Sequence, residues 1–249
     1  MRYAIYSDVH GNLPALEAVL ADIAKAAFDG VYCLGDLVGY GAFPNEVTER
    51  VRADGTPTVI GNYDDGVGFD RDECGCAYRD PVDQALGERS FQCTKARVTP
   101  ENKAYLRTLL KEIRFEADGK RILLVHGSPR KLNEYLFEDR PLSSFERLAA
   151  NSNADVIVFG HTHKPYVKNV NSVMFLNVGS VGKPKDGNWR AGYAVLDTNE
   201  IPTAVFRRVE YDVSKAAAAI RASDLPDEFA LDIETGGAPR GLAKHDSMR

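Results

Sequence analysis

Four of the five histidines follow short apolar runs, and two aspartates and an asparagine occupy the same kind of position. Together these candidate ligands are Asp8, His10, Asp36, Asn62, His126, His161 and His163. A single histidine after a strand is commonly structural, but this combination is typical of a metal site. Imidazole and carboxylate without thiolate favour Mn, Fe, Zn, Co or Ni over copper(I) or an iron–sulfur cluster. One ion takes about four to six ligands, so seven candidates predict two divalent ions that share a carboxylate.

The candidate ligands follow strand-like runs that alternate with helical patterns. Tyr3–Tyr6 is apolar and rich in strand formers, and the segment after it changes to helical spacing, with Asn12 as a predicted N-cap. The pattern recurs in the predicted strand Val31–Leu34, helix Asn45–Arg52 and strand Pro57–Ile60. Repeated strand–loop–helix units predict a mostly parallel sheet, and ligands bind beyond the carboxyl ends of such strands.

The rest of the chain adds a second set of elements. The predicted helices are Pro81–Lys95, Pro100–Ile113 and Val213–Ala222, and the predicted strands are Arg121–Val125, Asp155–Phe159, Tyr166–Val170, Val173–Asn177, Ala191–Asp197 and Thr203–Tyr211. Short turns separate the last four strands, which favours antiparallel pairing in a second sheet. We therefore expect an α/β fold in which two stacked mixed β-sheets are flanked by helices.

The pattern indicates one domain, residues 1–222, with a loop insertion at about 65–80 that is rich in Gly, Asp and Cys. The segment 223–249 is polar and contains several Pro and Gly residues, so it is predicted to be a C-terminal tail that packs on the body or on a partner subunit of a homodimer. The one-residue spacing of Cys74 and Cys76 does not match a zinc knuckle, and we expect free thiols in a loop.

Composition excludes several classes of function. A net charge of −5 and a pI near 5.6 argue against binding of duplex nucleic acid, which relies on clustered Lys and Arg. No stretch approaches the roughly 18 apolar residues of a membrane span, and Met1 leads into a strand without an export signal. The sequence therefore predicts a cytoplasmic protein.

Five short motifs resemble those of the calcineurin-like metallophosphoesterases. In order, they are Asp8-Val9-His10-Gly11-Asn12, Gly35-Asp36, Gly61-Asn62-Tyr63-Asp64, Val125-His126-Gly127 and Gly160-His161-Thr162-His163. The later run Asn177–Pro184 resembles the small bacterial and archaeal phosphodiesterase branch of that family. The resemblance covers about the first 200 residues and implies a metallophosphoesterase-like αββα sandwich.

The resemblance also implies how the ligands divide between two ions, manganese being favoured. One ion would be held by Asp8, His10, Asp36 and His163, and the other by Asp36, Asn62, His126 and His161. Two ions about 3.5–4 Å apart can deprotonate a shared water and hold the phosphate oxygens during in-line displacement. The hydroxide so formed would attack a phosphoester, and a diester of a small molecule or nucleotide is favoured.

Tyr63 departs from the family pattern, because many members have a histidine there that helps to protonate the leaving group. Tyrosine, with a reference pKa of about 10, is a poorer general acid near neutral pH. The small phosphodiesterase branch also often lacks this histidine, and its loss favours diesters or good leaving groups. Tyr63 and Asp64 are the candidate catalytic residues, although Asp64 has a structural alternative because the histidine it would orient is missing.

Substrate contacts are assigned to Asn12, which the motif places near phosphate, and to Arg190. Three further cations, Arg130, Lys183 and Lys185, could bind phosphate or be solvated. Alternative activities within the family are those of a phosphomonoesterase, a diadenosine-tetraphosphate hydrolase and a phosphoprotein phosphatase. An alternative of another class is a binding scaffold without catalysis, as the retromer subunit of this fold suggests; Tyr63 favours it and the intact ligand set opposes it.

Overall fold

The computed structural model describes residues 1–77 and 80–237, in which strands and helices alternate along the chain. The strands are β1 Arg2–Tyr6, β2 Gly30–Cys33, β3 Ile113–Ala117, β4 Lys120–Leu124, β5 Val156–Phe159, β6 Tyr166–Val170, β7 Val173–Asn177, β8 Ala191–Asp197 and β9 Thr203–Val209. The helices are α1 Leu13–Ile23, α2 Pro44–Asp54, α3 Asn62–Gly68, α4 Pro81–Arg97, α5 Pro100–Leu106, α6 Leu142–Ser152, α7 Val213–Arg221 and α8 Glu228–Thr235.

The strands form two mixed sheets. One has the order β2-β1-β8-β9, with β1 and β2 parallel and the other pairs antiparallel. The other has the order β3-β4-β5-β7-β6, with parallel pairs in its centre and antiparallel pairs at its edges. Two mixed sheets flanked by helices confirm the fold class predicted from the sequence.

Each central strand contributes side chains to two core layers, because successive residues of a strand point to opposite faces. In β1, Ile5 enters the layer between the sheets, whereas Tyr6 packs against the helices that include α1. In β5, Val158 enters the same inter-sheet layer, and Phe159 packs on the outer side with Phe145 of α6. The layers therefore follow the order helix, sheet, sheet, helix.

The four strands after His163 do not form one sheet, and that expectation was wrong. Both hairpins are antiparallel as predicted, but β7 joins β5 in the five-stranded sheet and β8 joins β1 in the four-stranded sheet. β7 is buried along its whole length, and β8 is buried except at its last residue. Both strands are therefore covered on both faces and pair with neighbours on each side. The length of a turn does not indicate which of the two sheets a strand joins.

Three other elements differ from the sequence prediction. Residues 57–60 make only isolated bridges, between Cys33 and Thr58 and between Val59 and Leu110. The helix that begins at Pro100 ends at Leu106, and Ile113 begins β3 instead of ending the helix. Helix α6, which has an apolar face with Phe145 and Leu148 buried, was not among the predicted helices.

Cys74 and Cys76 are joined by a disulfide, which corrects the expectation of free thiols. Gly75 between them has φ +66°, a conformation that favours glycine. The resulting turn brings the two Cα atoms to 5.5 Å, within the range that a disulfide spans. Cys33 is buried and Cys93 is half-buried, and both are free.

The segment predicted as a tail contains α8, which packs against α7. Phe229, Ala230 and Ile233 of α8 are buried in the core layer that also contains α1. The rest of that segment, residues 238–249, lies outside the described residues. In the described part of the chain, no helix combines the length and the apolar character needed to cross a membrane.

Candidate metal centre

The seven candidate ligands meet at one edge of the two sheets, because each follows the carboxyl end of a strand or opens a helix there. Five of them have φ between 49° and 64°, in the left-handed region that non-glycine residues rarely adopt; they are Asp8, His10, Asp36, His161 and His163. Backbone hydrogen bonds between neighbouring loops hold this conformation, such as Asp8 N to Gly35 O at 2.9 Å and His10 N to Asp36 O at 2.9 Å.

The first group of candidate ligands consists of Asp8, His10 and His163, all buried. The Nε2 atoms of the two histidines lie 3.1 Å apart. Asp8 Oδ1 lies 3.8 Å from Nε2 of His10 and 3.3 Å from Nε2 of His163. The second carboxylate oxygen of Asp8 accepts a hydrogen bond from the backbone N of His161 at 3.0 Å. Three potential ligand atoms therefore surround one point.

The second group consists of Asp36, His126 and His161, with Asn62 beside them. Nε2 of His126 lies 3.4 Å from Asp36 Oδ2, 3.2 Å from Nδ1 of His161 and 3.1 Å from Oδ1 of Asn62. The Asn62 amide nitrogen donates to the Cys74 carbonyl at 3.0 Å and to Cys76 Sγ at 3.2 Å. This pair of contacts turns the amide oxygen toward His126.

Asp36 faces both groups. Its Oδ2 lies 3.7 Å from Nε2 of His10 and 3.4 Å from Nε2 of His126, while its Oδ1 accepts a hydrogen bond from the backbone N of Tyr63 at 2.8 Å. One oxygen is thus used to fix the carboxylate and the other lies between the two histidines. This is the position that a carboxylate shared by two ions would occupy.

Backbone carbonyls define the tautomers of three histidines. Nδ1 lies 3.0 Å from Val38 O in His10, 2.8 Å from Leu34 O in His126 and 2.5 Å from Lys183 O in His163. A carbonyl can only accept, so each Nδ1 carries a proton and, in the neutral ring, leaves a lone pair on Nε2. The Nε2 atoms of His10 and His163 therefore present lone pairs to each other at 3.1 Å, an arrangement that a bound cation would stabilise.

Unpaired buried atoms lead to the same conclusion. Asp8 Oδ1 and His161 Nε2 have no hydrogen-bond partner among the described residues. Leaving a buried polar atom unpaired costs about 1–3 kcal/mol, and more for a charged group. Such atoms cluster where a ligand belongs, and the mixed imidazole and carboxylate donors fit a divalent transition metal.

Burial sets the protonation of the histidines. It lowers the pKa of His10 to about 3 and holds the pKa of His161 and His163 well below the ordinary value of 6.5. In His126 burial also disfavours the charged ring, but the carboxylates of Asp36 and Asp8 and the Leu34 carbonyl together outweigh burial and raise the pKa to about 9. At pH 7, His10, His161 and His163 are neutral and suited to bind a metal, while His126 carries a second proton, on Nε2, that a metal would displace.

Tyr63 and Asp64 both lie at the start of α3. The Tyr63 hydroxyl is 3.4 Å from Ser90 Oγ and 3.4 Å from Gly87 O, both on α4, and its ring packs edge-on against His10 at 5.6 Å. The Asp64 carboxylate accepts from the backbone N of Leu37 at 2.9 Å and of Gly61 at 3.0 Å. It thereby ties the Asp36 loop to the Asn62 loop, and burial raises its pKa to about 7.

The predicted substrate residues have structural contacts. Asn12 caps α1 through Ala15 N at 3.2 Å, and its amide nitrogen donates to Gly182 O at 3.0 Å. The Arg190 guanidinium donates to Asn188 Oδ1 at 3.1 Å. Lys185 is half-buried, and its backbone N donates to His163 O at 3.3 Å. Its ammonium helps to lower the pKa of His161 and His163, so its charge acts on the centre.

Sequence reasoning missed the residues that hold the ligand loops. The Asn177 amide nitrogen donates to Gly160 O at 2.8 Å and to Thr162 Oγ1 at 2.9 Å, and so fixes the loop that carries His161 and His163. Lys183 forms a buried ion pair with Asp232 of α8. The run Asn177–Pro184 indicated that this segment matters, but nothing in the sequence pairs Lys183 with a residue 49 positions away.

Comparisons with known proteins agree with this geometry. Residues 1–200 match the model of the calcineurin-like phosphoesterase superfamily domain. The chain is 34% identical to the uncharacterized protein MJ0912 of Methanocaldococcus jannaschii over 243 residues, which cover 90% of this chain and 93% of that protein. It is 29% identical to the phosphodiesterase YfcE of Escherichia coli K12 over 209 residues, which cover 80% and 89% of the two chains.

A solved structure extends the likeness to the whole fold. The metallophosphoesterase from Sphaerobacter thermophilus superposes with a TM-score of 0.74 at 30% identity, covering 95% of this chain and 99% of that one. The ordered motifs, the two stacked sheets and these matches lead to one conclusion. The chain belongs to the calcineurin-like phosphoesterase superfamily.

Proposed function

We propose that the protein is a dinuclear metal-dependent phosphodiesterase that hydrolyses small-molecule or nucleotide diesters. The observation that carries the proposal is the convergence of the Nε2 lone pairs of His10 and His163 at 3.1 Å beside an unpaired oxygen of Asp8. The first ion would be held by Asp8, His10, Asp36 and His163, and the second by Asp36, Asn62, His126 and His161. Manganese is the favoured metal, with Fe, Zn, Ni and Co as alternatives, and the protein is expected to act in the cytoplasm.

Two bound divalent ions would supply a water activated for attack and positive charge for the phosphate oxygens. The protein's own residues would orient the two ions and the substrate and would balance their charges. Asp36 would fix the spacing of the two groups, since one of its oxygens is held by Tyr63 N and the other faces both. Lys185 would add a positive charge near His161 and His163, and Asn12 and Arg190 remain further candidate substrate contacts.

We propose a diester as substrate because Tyr63 stands where many family members have a histidine that helps to protonate the leaving group. The Tyr63 hydroxyl is within hydrogen-bond range of α4 through Ser90 and Gly87, and its ring supports His10. We therefore propose that Tyr63 acts by packing and does not protonate the leaving group. Without a strong acid at this position, the enzyme would favour diesters whose leaving group needs little protonation. The likeness to YfcE, itself a phosphodiesterase, supports the same choice.

The test is hydrolysis of bis-p-nitrophenyl phosphate beside p-nitrophenyl phosphate, with metal-stripped protein resupplied with Mn, Ni, Co, Zn or Mg. Asp36→Asn should abolish metal-dependent turnover of the diester. Asp54→Asn, the same change at an exposed carboxylate on α2, is the matched control and should retain it. Turnover of the monoester alone would establish a phosphatase instead. Two ions bound per chain without turnover of any ester would establish a binding scaffold.

A further inference from the structure

Helix α8 lies outside the segment that matches the family model, yet it contacts the supports of the first group of candidate ligands. We propose that α8 is a positioning element that sets the affinity of the first metal ion, through Asp232 and Phe229, and leaves the second ion unaffected. The inference rests on the proposed dinuclear centre. It concerns how this chain tunes one of the two ions separately.

The first connection runs through Lys183 to His163. The Lys183 carbonyl holds Nδ1 of His163 at 2.5 Å, and its ammonium is buried in an ion pair with Asp232 of α8. The segment is fixed beside the metal loop, because Gly182 N donates to Asp8 O at 3.0 Å. A Cβ at Gly182 would lie 1.8 Å from Val9 O, so only glycine allows this approach.

The second connection runs through Tyr40 to His10. The Phe229 ring of α8 packs edge-on against Tyr40 at 5.0 Å, and Tyr40 packs edge-on against His10 at 4.9 Å. The Lys183 ammonium lies 5.0 Å from the centre of the Tyr40 ring and 5.5 Å from that of Phe229. Both connections therefore share one buried cluster, and it supports both histidines of the first group.

The second group is supported by other segments. His126 is held by the Leu34 carbonyl, Asn62 by the Cys74 carbonyl and Cys76 sulfur, and His161 packs against the Tyr135 ring at 4.0 Å. Groups that orient the ligands of a metal change its affinity by about 10–100-fold when they are removed. Because the supports differ, a change in α8 should act on the first ion alone.

The experiment measures Mn²⁺ bound by full-length, metal-stripped protein, by calorimetry and by the electron paramagnetic resonance of the bound ions. Wild type should bind two ions with a spin-coupled signal. Asp232→Asn should weaken one ion at least tenfold and show an uncoupled, mononuclear signal when one ion is bound. Glu234→Gln, also on α8, removes an exposed ion pair with Arg221 of α7. It is the matched control, and it should bind Mn²⁺ as wild type does.

Double variants identify which ion is affected. In an Asp8→Asn background, where the first site is already impaired, Asp232→Asn should cause no further loss of Mn²⁺ affinity. In a His126→Ala background, where the second site is impaired, Asp232→Asn should weaken binding of the remaining ion at least tenfold. An equal loss of Mn²⁺ affinity at both sites, or no loss at either site, would overturn the inference. Phe229→Leu, a milder change on the second connection, provides the same comparison if Asp232→Asn does not fold. Wild type that binds none of Mn²⁺, Zn²⁺, Co²⁺ or Ni²⁺ would instead refute the proposed dinuclear centre.

Discussion

Nε2 of His126 lies 3.4 Å from Oδ2 of Asp36, with both side chains buried. Burial alone would keep the imidazole neutral, but this carboxylate, together with Asp8 and the Leu34 carbonyl, outweighs burial and raises the His126 pKa to about 9. The other three histidines of the centre have lowered pKa values. In the metal-free protein, the additional proton of His126 therefore lies between these two residues, where a metal cation would otherwise bind.

Metal uptake at pH 7 should consequently release about one proton from His126, and the affinity of the second ion should rise about tenfold per pH unit up to pH 9. Since the folded-state pKa lies above the ordinary 6.5, the proton stabilises the metal-free fold below pH 6.5, and this stabilisation is lost as the pH rises through 9. Calorimetry in two buffers of different ionisation enthalpy measures the release. Uptake at pH 7 with no buffer dependence would contradict it.

Tyr63→Phe should keep kcat for the diester within about threefold of wild type, because the hydroxyl contacts α4 and the ring supports His10. Loss of a general acid would instead lower kcat by roughly 100-fold or more. Tyr63→Ala removes the buried ring and should destabilise the fold by about 3–5 kcal/mol. Steady-state kinetics and urea unfolding separate the two roles.

Asp64→Asn should destabilise the protein by about 1–3 kcal/mol, because an amide nitrogen cannot accept a hydrogen bond and Leu37 N or Gly61 N loses its buried partner. Asp65→Asn is the matched control on the same helix. Asp65 pairs with Arg71 at the surface, where such pairs contribute less than about 1 kcal/mol. Equal effects of the two variants in urea unfolding would show that Asp64 does not join the loops.

Lys185→Gln should raise the KM for the diester roughly 10- to 150-fold, since a charged hydrogen bond to phosphate contributes about 1.5–3 kcal/mol. The lysine is half-buried and attached through its backbone to His163. Lys164→Gln, at an exposed position that also neighbours His163 in sequence, should leave the KM unchanged. An unchanged KM in both variants would remove Lys185 from the substrate site.

Thiol titration tests the disulfide. The unreduced native protein should show one readily reactive thiol, Cys93, because Cys33 is fully buried. Denaturation should expose a second thiol, and reduction should bring the total to the four cysteines of the sequence. Four thiols in the unreduced, denatured chain would show that Cys74 and Cys76 are not bonded.

The sequence predicted the ligand loops well and the assembly of the sheets less well. Asp8, His10 and the other candidates follow strands, and parallel strands place such residues at one edge, so local patterns suffice to predict their meeting. The sheet that β7 or β8 joins depends on burial of both faces, which is a tertiary property. The disulfide required the turn at Gly75, and the contact of Lys183 with Asp232 required α8 to fold back onto the core. Neither leaves a periodic signal in the sequence.

The left-handed backbone of the five ligand residues also bears on how this fold evolves. Each such residue costs roughly 1–3 kcal/mol, against a net stability of about 5–15 kcal/mol for a typical domain. Glycine at one of these positions would relieve the backbone strain, and in the proposed metal centre it would also remove a metal ligand. Selection for folding alone would therefore erode this centre.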